Sequence, residues 1–87
     1  MKLLGLQKLV SLKGESDIVD RWLSSWVSEV IHANWKQMSD VCDQFPAMVV
    51  VNGTVYSFPI VNTGIQVNLN MAFTHGIAII IELSRKS

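Results

Sequence analysis

The sequence predicts an α+β domain in which helices from the first half pack on a mostly antiparallel sheet built by the second. Three observations carry that expectation. Apolar residues recur at helical spacing from Ile18 to Ile31. After Pro46 the period changes to two. Turn-forming clusters at Asn52-Gly53, Asn62-Thr63-Gly64 and His75-Gly76 then cut the second half into runs of strand length. The 87 residues, 49% of them hydrophobic and 16% charged, fit a single domain over 1–87 with a real core. A chain of this size buries about 60–65% of its extended surface.

Each element has a local cause. Residues 2–4 read as a short strand, and Leu6–Leu12 as its extension or a helical turn. Lys13-Gly14-Glu15 is the first break. A long helix over about 16–33 starts at Ser16, whose hydroxyl caps free backbone N–H groups, with Asp17 and Asp20 suited to the positive end of the helix dipole. Its apolar stripe is Ile18/Val19, Trp22/Leu23, Trp26/Val27 and Val30/Ile31. Ser39-Asp40 predicts the cap of a short helix through Gln44. Phe45 ends it, because a residue before proline disfavours helix.

Ala47–Val51 and Thr54–Ile60 flank Asn52-Gly53, the dipeptide best suited to a type I′ hairpin turn. Pro59 belongs at a strand end or bulge. Ile65–Phe73 alternates, with Ile65, Val67, Leu69, Met71 and Phe73 on one face and Gln66, Asn68, Asn70 and Ala72 on the other. Ile77–Leu83 is apolar on both faces except at Glu82, which predicts a central position or a covered outer face. The whole is a two-layer domain with a meander of four to five strands.

Charge excludes more than it suggests. From Gln37 to Ser84 there is no lysine or arginine, and all seven cations lie in the first 36 residues or the last three. The sheet is therefore expected to be free of positive charge, whereas proteins that grip nucleic-acid phosphates draw most of their non-specific affinity from cations. The formal net charge is zero and the pI about 6.7, which gives no steering toward polyanions and favours self-association near neutral pH. The apolar opening is broken by Gln7 and Lys8 with no small-residue cleavage site. The longest apolar run, Ile77–Ile81, is too short to span a bilayer. A cytoplasmic protein without a membrane partner is the expectation.

Candidate chemistry is sparse. Cys42, the one cysteine, is expected as a small buried hydrophobe. His32 lies on the long helix and His75 in a turn, with no acid or second histidine at metal-ligand spacing, so neither a metal nor a cofactor is expected. His75 and Lys36 are weak catalytic candidates. Gln66, Asn68, Asn70 and Tyr56 are candidates for an RNA-facing sheet surface, since alternate side chains stand about 6.5–7 Å apart on one face. The competing reading is a solvated polar face. The three tryptophans are expected in the core.

Two segments resemble a known pattern. One runs from Trp22-Leu23-Ser24-Ser25-Trp26 through Ala33-Asn34-Trp35-Lys36 to Phe45-Pro46. The other runs from Asn52-Gly53 through Tyr56 and Phe58 to Ile60 and the alternating strand to Phe73. With the opening Met1-Lys2-Leu3-Leu4 and Lys8-Leu9, the chain is similar to the HigB-type branch of RelE-like toxins, ribosome-associated mRNA interferases of bacterial toxin–antitoxin pairs. The resemblance implies a helical layer on a mostly antiparallel sheet, an RNA substrate on the ribosome and a helix-turn-helix antitoxin partner. It also implies basic residues that are missing here. Members carry one in the hairpin turn, at Thr63 or Gly64, an arginine at Gln66, a lysine at Asn70 and an arginine near Ile81. A Gly-Thr-His ending followed by Tyr-Asp has no counterpart after Ser84.

Three functional expectations follow. The first is a HigB/RelE-like protein that is catalytically impaired or inactive as an mRNA interferase and acts through protein contacts. The second is a small oligomeric interaction module without nucleic-acid binding, such as a homodimer, in which the last strand, apolar on both sides, offers a sheet edge for pairing with another chain. The third is a nuclease with a separate site on His32, His75 and Lys36. Convergence of Lys8, Lys13, Lys36 and Arg85 beside His75 is the arrangement that overturns the first.

Overall fold

The structure, a computed structural model, describes residues 1–12, 14, 16–60 and 63–85. It is α+β. Strand β1 (Lys2–Leu4) leads into a 3-10 helix at Leu6–Leu12. Helices α1 (Asp17–His32) and α2 (Met38–Gln44) follow, then β2 (Val49–Val50), β3 (Val55–Pro59), β4 (Ile65–Ala72), a 3-10 turn at Phe73–His75 and β5 (Ile77–Arg85). The five strands form one mixed sheet in the order β1-β5-β4-β3-β2. From β2 to β5 it is an antiparallel meander, and β1 adds parallel to β5 with Lys2, Leu3 and Leu4 opposite Ile77, Ala78 and Ile79.

Helix α1 begins as the sequence dictates: Ser16 Oγ accepts from the Val19 N–H at 3.2 Å, with Asp17 and Asp20 in the first turn. Its buried stripe is narrower than expected. Val19, Leu23, Trp26 and Val30 are buried, whereas Ile18 and Ile31, one helical step to the side, are exposed. Helix α2 starts two residues earlier than a cap at Ser39 implies. Its cap residue is Gln37, with no side-chain capping bond, and Asp40 Oδ2 instead accepts from the Lys36 N–H at 2.8 Å. It ends at Phe45 before Pro46, as expected.

The core lies between the helices and one sheet face. Leu3, Ala78, Ile80, Val67, Leu69, Met71, Tyr56 and Phe58 meet the α1 stripe in one cluster. A chain of rings crosses it. Trp22 stacks on Trp26, Trp26 meets Phe58 edge-on at 5.5 Å, Phe58 meets Phe45 at 5.3 Å and Phe45 meets Trp35 at 5.9 Å. Such pairs add roughly 0.5–1.5 kcal/mol each beyond the area they bury. Trp35 is fixed further by its Nε1–H donating to Gln44 Oε1 at 3.0 Å. The tryptophans therefore serve packing.

Several expectations change. The last strand, β5, is not a sheet edge open to another chain, since β1 and β4 pair with it on either side. Asn52-Gly53 does not make a type I′ turn, since Gly53 is not among the glycines with positive φ. The Asn52 side chain builds the loop instead, its Oδ1 accepting from the Thr54 and Val55 N–H groups at 3.1 Å. The flanking strands shrink accordingly, and β2 is only Val49–Val50. Cys42 is exposed: α2 turns only Val41 fully inward, and the next residue points about 100° away. The break at Lys13 and Glu15, and Asn62 of the second turn, fall outside the described residues. Among the described residues no helix is long and apolar enough to cross a membrane.

Candidate interaction face of the sheet

Register sorts the strand residues into two faces. Paired residues point the same way, and alternate residues point oppositely. Opposite the helices lies a face of four rows. Reading from β1 toward β2, the first row is Lys2, Ile77 and Ala72, and the second is Leu4, Ile79, Asn70 and Val55. The third is Glu82, Asn68, Ser57 and Val49, and the fourth is Ser84, Gln66 and Pro59.

A bulge decides this arrangement. Leu69 pairs with Ile80 but Asn68 pairs with Glu82, so Ile81 is an extra residue. Strict alternation would send Glu82 to the core side with Ala78 and Ile80. The inserted residue shifts the parity and brings Glu82 to the open face while Leu83 turns inward opposite Val67.

The third and fourth rows form a polar network. Asn68 Nδ2 donates to Glu82 Oε1 at 3.1 Å and reaches Ser84 Oγ at 3.5 Å. Ser57 Oγ donates to Gln66 Oε1 at 3.0 Å. Ser57 and Asn68 are 2% and 7% exposed, so the Asn68 amide is held within the sheet surface. Asn68 Oδ1 has no hydrogen-bond partner among the described residues. The second row differs: Leu4 and Ile79 are 38% and 41% exposed, with Val55 half-buried.

The candidates named from sequence do not form one site. Gln66, Asn68 and Asn70 share the open face, and of these Asn70 is exposed. Tyr56 is not RNA-facing. It has the parity of Phe58 and Ile60, is 2% exposed and packs against Phe73 at 5.9 Å. Burial, and secondarily the nearby Cys42, raises its phenol above the usual value of 10.0. His75 is exposed at the end of the 3-10 turn, and Lys36 is exposed between α1 and α2. His32 Nδ1 lies 2.8 Å from the Ser28 carbonyl, so that nitrogen carries the proton.

Arg85 ends β5 and His75 precedes its start. Eight strand steps of about 3.4 Å, roughly 27 Å, keep them apart. Lys13 lies outside the described residues. Neither a protein-family model nor a curated protein sequence matches this chain. Among the described residues the charges of the open face are Lys2 and Glu82, one of each sign, with Lys2 on the edge strand, so the sheet is not free of positive charge, contrary to expectation, because β1 brings a lysine into it. Sequence reading missed the Glu82–Asn68–Ser84 network. Glu82 as the one charge in the apolar run from Ile77 to Leu83 was the available signal, and only the bulge tells which way it points.

Proposed function

We propose that this chain is a HigB-type, RelE-like scaffold of a bacterial toxin–antitoxin system that is catalytically impaired as an mRNA interferase and works through protein contacts in the cytoplasm, with a helix-turn-helix antitoxin as one such partner. The supporting observation is the open sheet face. Gln66 and Asn70, at positions where the family resemblance expects cations, lie on it beside Glu82. Ribonucleolytic transfer through the 2′-hydroxyl needs positive charge where it builds on the phosphate. Loss of one such preorganised donor raises a barrier by about 3–4 kcal/mol, by analogy with oxyanion holes. A carboxylate on the same surface opposes the developing charge further.

The test is induced expression with a growth readout and primer extension on bulk mRNA. The expected result is no growth arrest and no ribosome-dependent cleavage, together with RNA binding that is weak and nearly flat in salt. Cleavage that disappears on changing His75 or the Gln66–Asn70 row overturns the reading.

A further inference from the structure

We propose that the open sheet face is the contact surface for a second copy of this chain, stacked face to face across a two-fold axis that runs along the row Leu4–Ile79–Asn70–Val55. This rests on the reading above only in treating the face as a protein-contact surface, and is independent of the family. Three observations select that occupant. The row contains Leu4 and Ile79, large apolar side chains about two-fifths exposed on a strand flank that the helices leave uncovered.

The second observation is the placement of charge. Lys2 lies one row to one side of this stripe and Glu82 one row to the other, on adjacent strands. A two-fold rotation about the stripe carries the Lys2 row of one copy over the Glu82 row of its mate. The lateral offset is one strand spacing, about 4.8 Å, across a sheet separation of about 10 Å, within reach of a lysine and a glutamate extended toward each other. Two equivalent ion pairs then flank the apolar row. Among the described residues Lys2 has no ion-pair partner within the chain. Self-complementarity of this kind is what an isologous interface requires.

Third, area sets the strength. No row spans more than four strands and only the first three rows overlap under this rotation, so at about 4.8 Å per strand and about 6.8 Å per row the contact covers roughly 14 × 14 Å on each copy. That is the size of a weak, transient contact, so the dimer is expected to be strongly concentration-dependent.

The experiment is sedimentation equilibrium of the full chain over a dilution series, with four variants. Ile79→Lys and Ile79→Thr change an exposed position, the second keeping the branching that suits a strand, and far-ultraviolet circular dichroism verifies their folding. Both are expected to weaken dimerisation roughly ten-fold or more. Glu82→Lys places like charges opposite each other and weakens it about five-fold, and Lys2→Glu combined with Glu82→Lys restores it. A monomer at every concentration, a dimer indifferent to Ile79→Lys, or a charge swap that fails to rescue overturns the proposal. A monomer that does not cleave RNA leaves the protein-contact reading standing. A dimer that does cleave RNA removes that reading and leaves this one.

Discussion

Gly5 provides a stringent test of how β1 is seated. It leaves β1 with φ +83°, and a Cβ built on it would stand 2.8 Å from the Ile80 carbonyl oxygen. Ordinary contact begins near 3.4 Å, so Gly5→Ala must part the chain from β5 by about 0.6 Å. Ile80 is fully buried and paired with Leu69 across β4, which leaves β5 little room to yield. Overpacking against such a backbone costs about 1–3 kcal/mol, and a side chain in the left-handed region adds about 1–2 kcal/mol. Gly14 is the control, because its φ is +84° and nothing lies within 4 Å of its Cβ position. Both substitutions share the backbone strain and the gain from a stiffer unfolded chain, so these cancel in the difference. Gly5→Ala is expected to be about 2 kcal/mol less stable than Gly14→Ala, or roughly 8–16 °C lower in Tm. Urea denaturation followed by tryptophan fluorescence measures both. Equal losses, within about 0.5 kcal/mol, would mean that Gly5 does not pack on Ile80 and that the β1–β5 pairing is misplaced.

Two other perturbations have defined outcomes. Ser16→Ala removes the acceptor for the Val19 N–H and is expected to cost about 1 kcal/mol in the same denaturation assay, with Ser16→Asp restoring most of it. Tyr56 is the chain's one tyrosine, so its ionisation can be followed alone by absorbance near 295 nm, with a midpoint above 10.0. Because the folded state holds the phenolic proton more tightly than the unfolded chain, Tyr56 stabilises fully below the unfolded value and this contribution is lost as pH rises through the folded one. Tyr56→Phe should flatten the decline of stability above about pH 10, and an unchanged decline would assign it to other groups.

What the sequence made legible and what it hid divide along physical lines. Helix α1 was legible because its causes are local: a serine cap, acids in the first turn and apolar side chains at steps of four and three. The core face of β4 was legible because a half-buried strand must alternate, and Ile65, Val67, Leu69 and Met71 are all buried. Pairing of β1 with β5 joins residues about 75 positions apart, and no local propensity encodes such contact. The bulge at Ile81 was hidden for a related reason, since every residue from Ile77 to Ile81 is apolar and parity leaves no mark in a uniform run. Asn52-Gly53 misled because the asparagine side chain can supply the hydrogen bonds that a type I′ backbone would otherwise make. Tyr56 was a misreading of available signal: it alternates in step with Phe58 and Ile60, which places it inward.

The two faces of the sheet are under different constraints, and function must be argued from the looser one. On the core face a change of even one methylene is felt, because Val67, Leu69 and Ile80 are fully buried among close-packed neighbours. On the open face Asn70 and Ile79 touch solvent, so their chemistry can change without unfolding the chain. Each cation placed there against a phosphate would contribute about 0.7 to the slope of binding against salt on single strands. A carboxylate there, at about 7 Å in water, repels a phosphate by roughly 0.6 kcal/mol. Glu82 accepts a hydrogen bond from Asn68, which favours keeping its carboxylate on this face. A carboxylate there adds to the repulsion of a phosphate and attracts a cationic group such as a lysine.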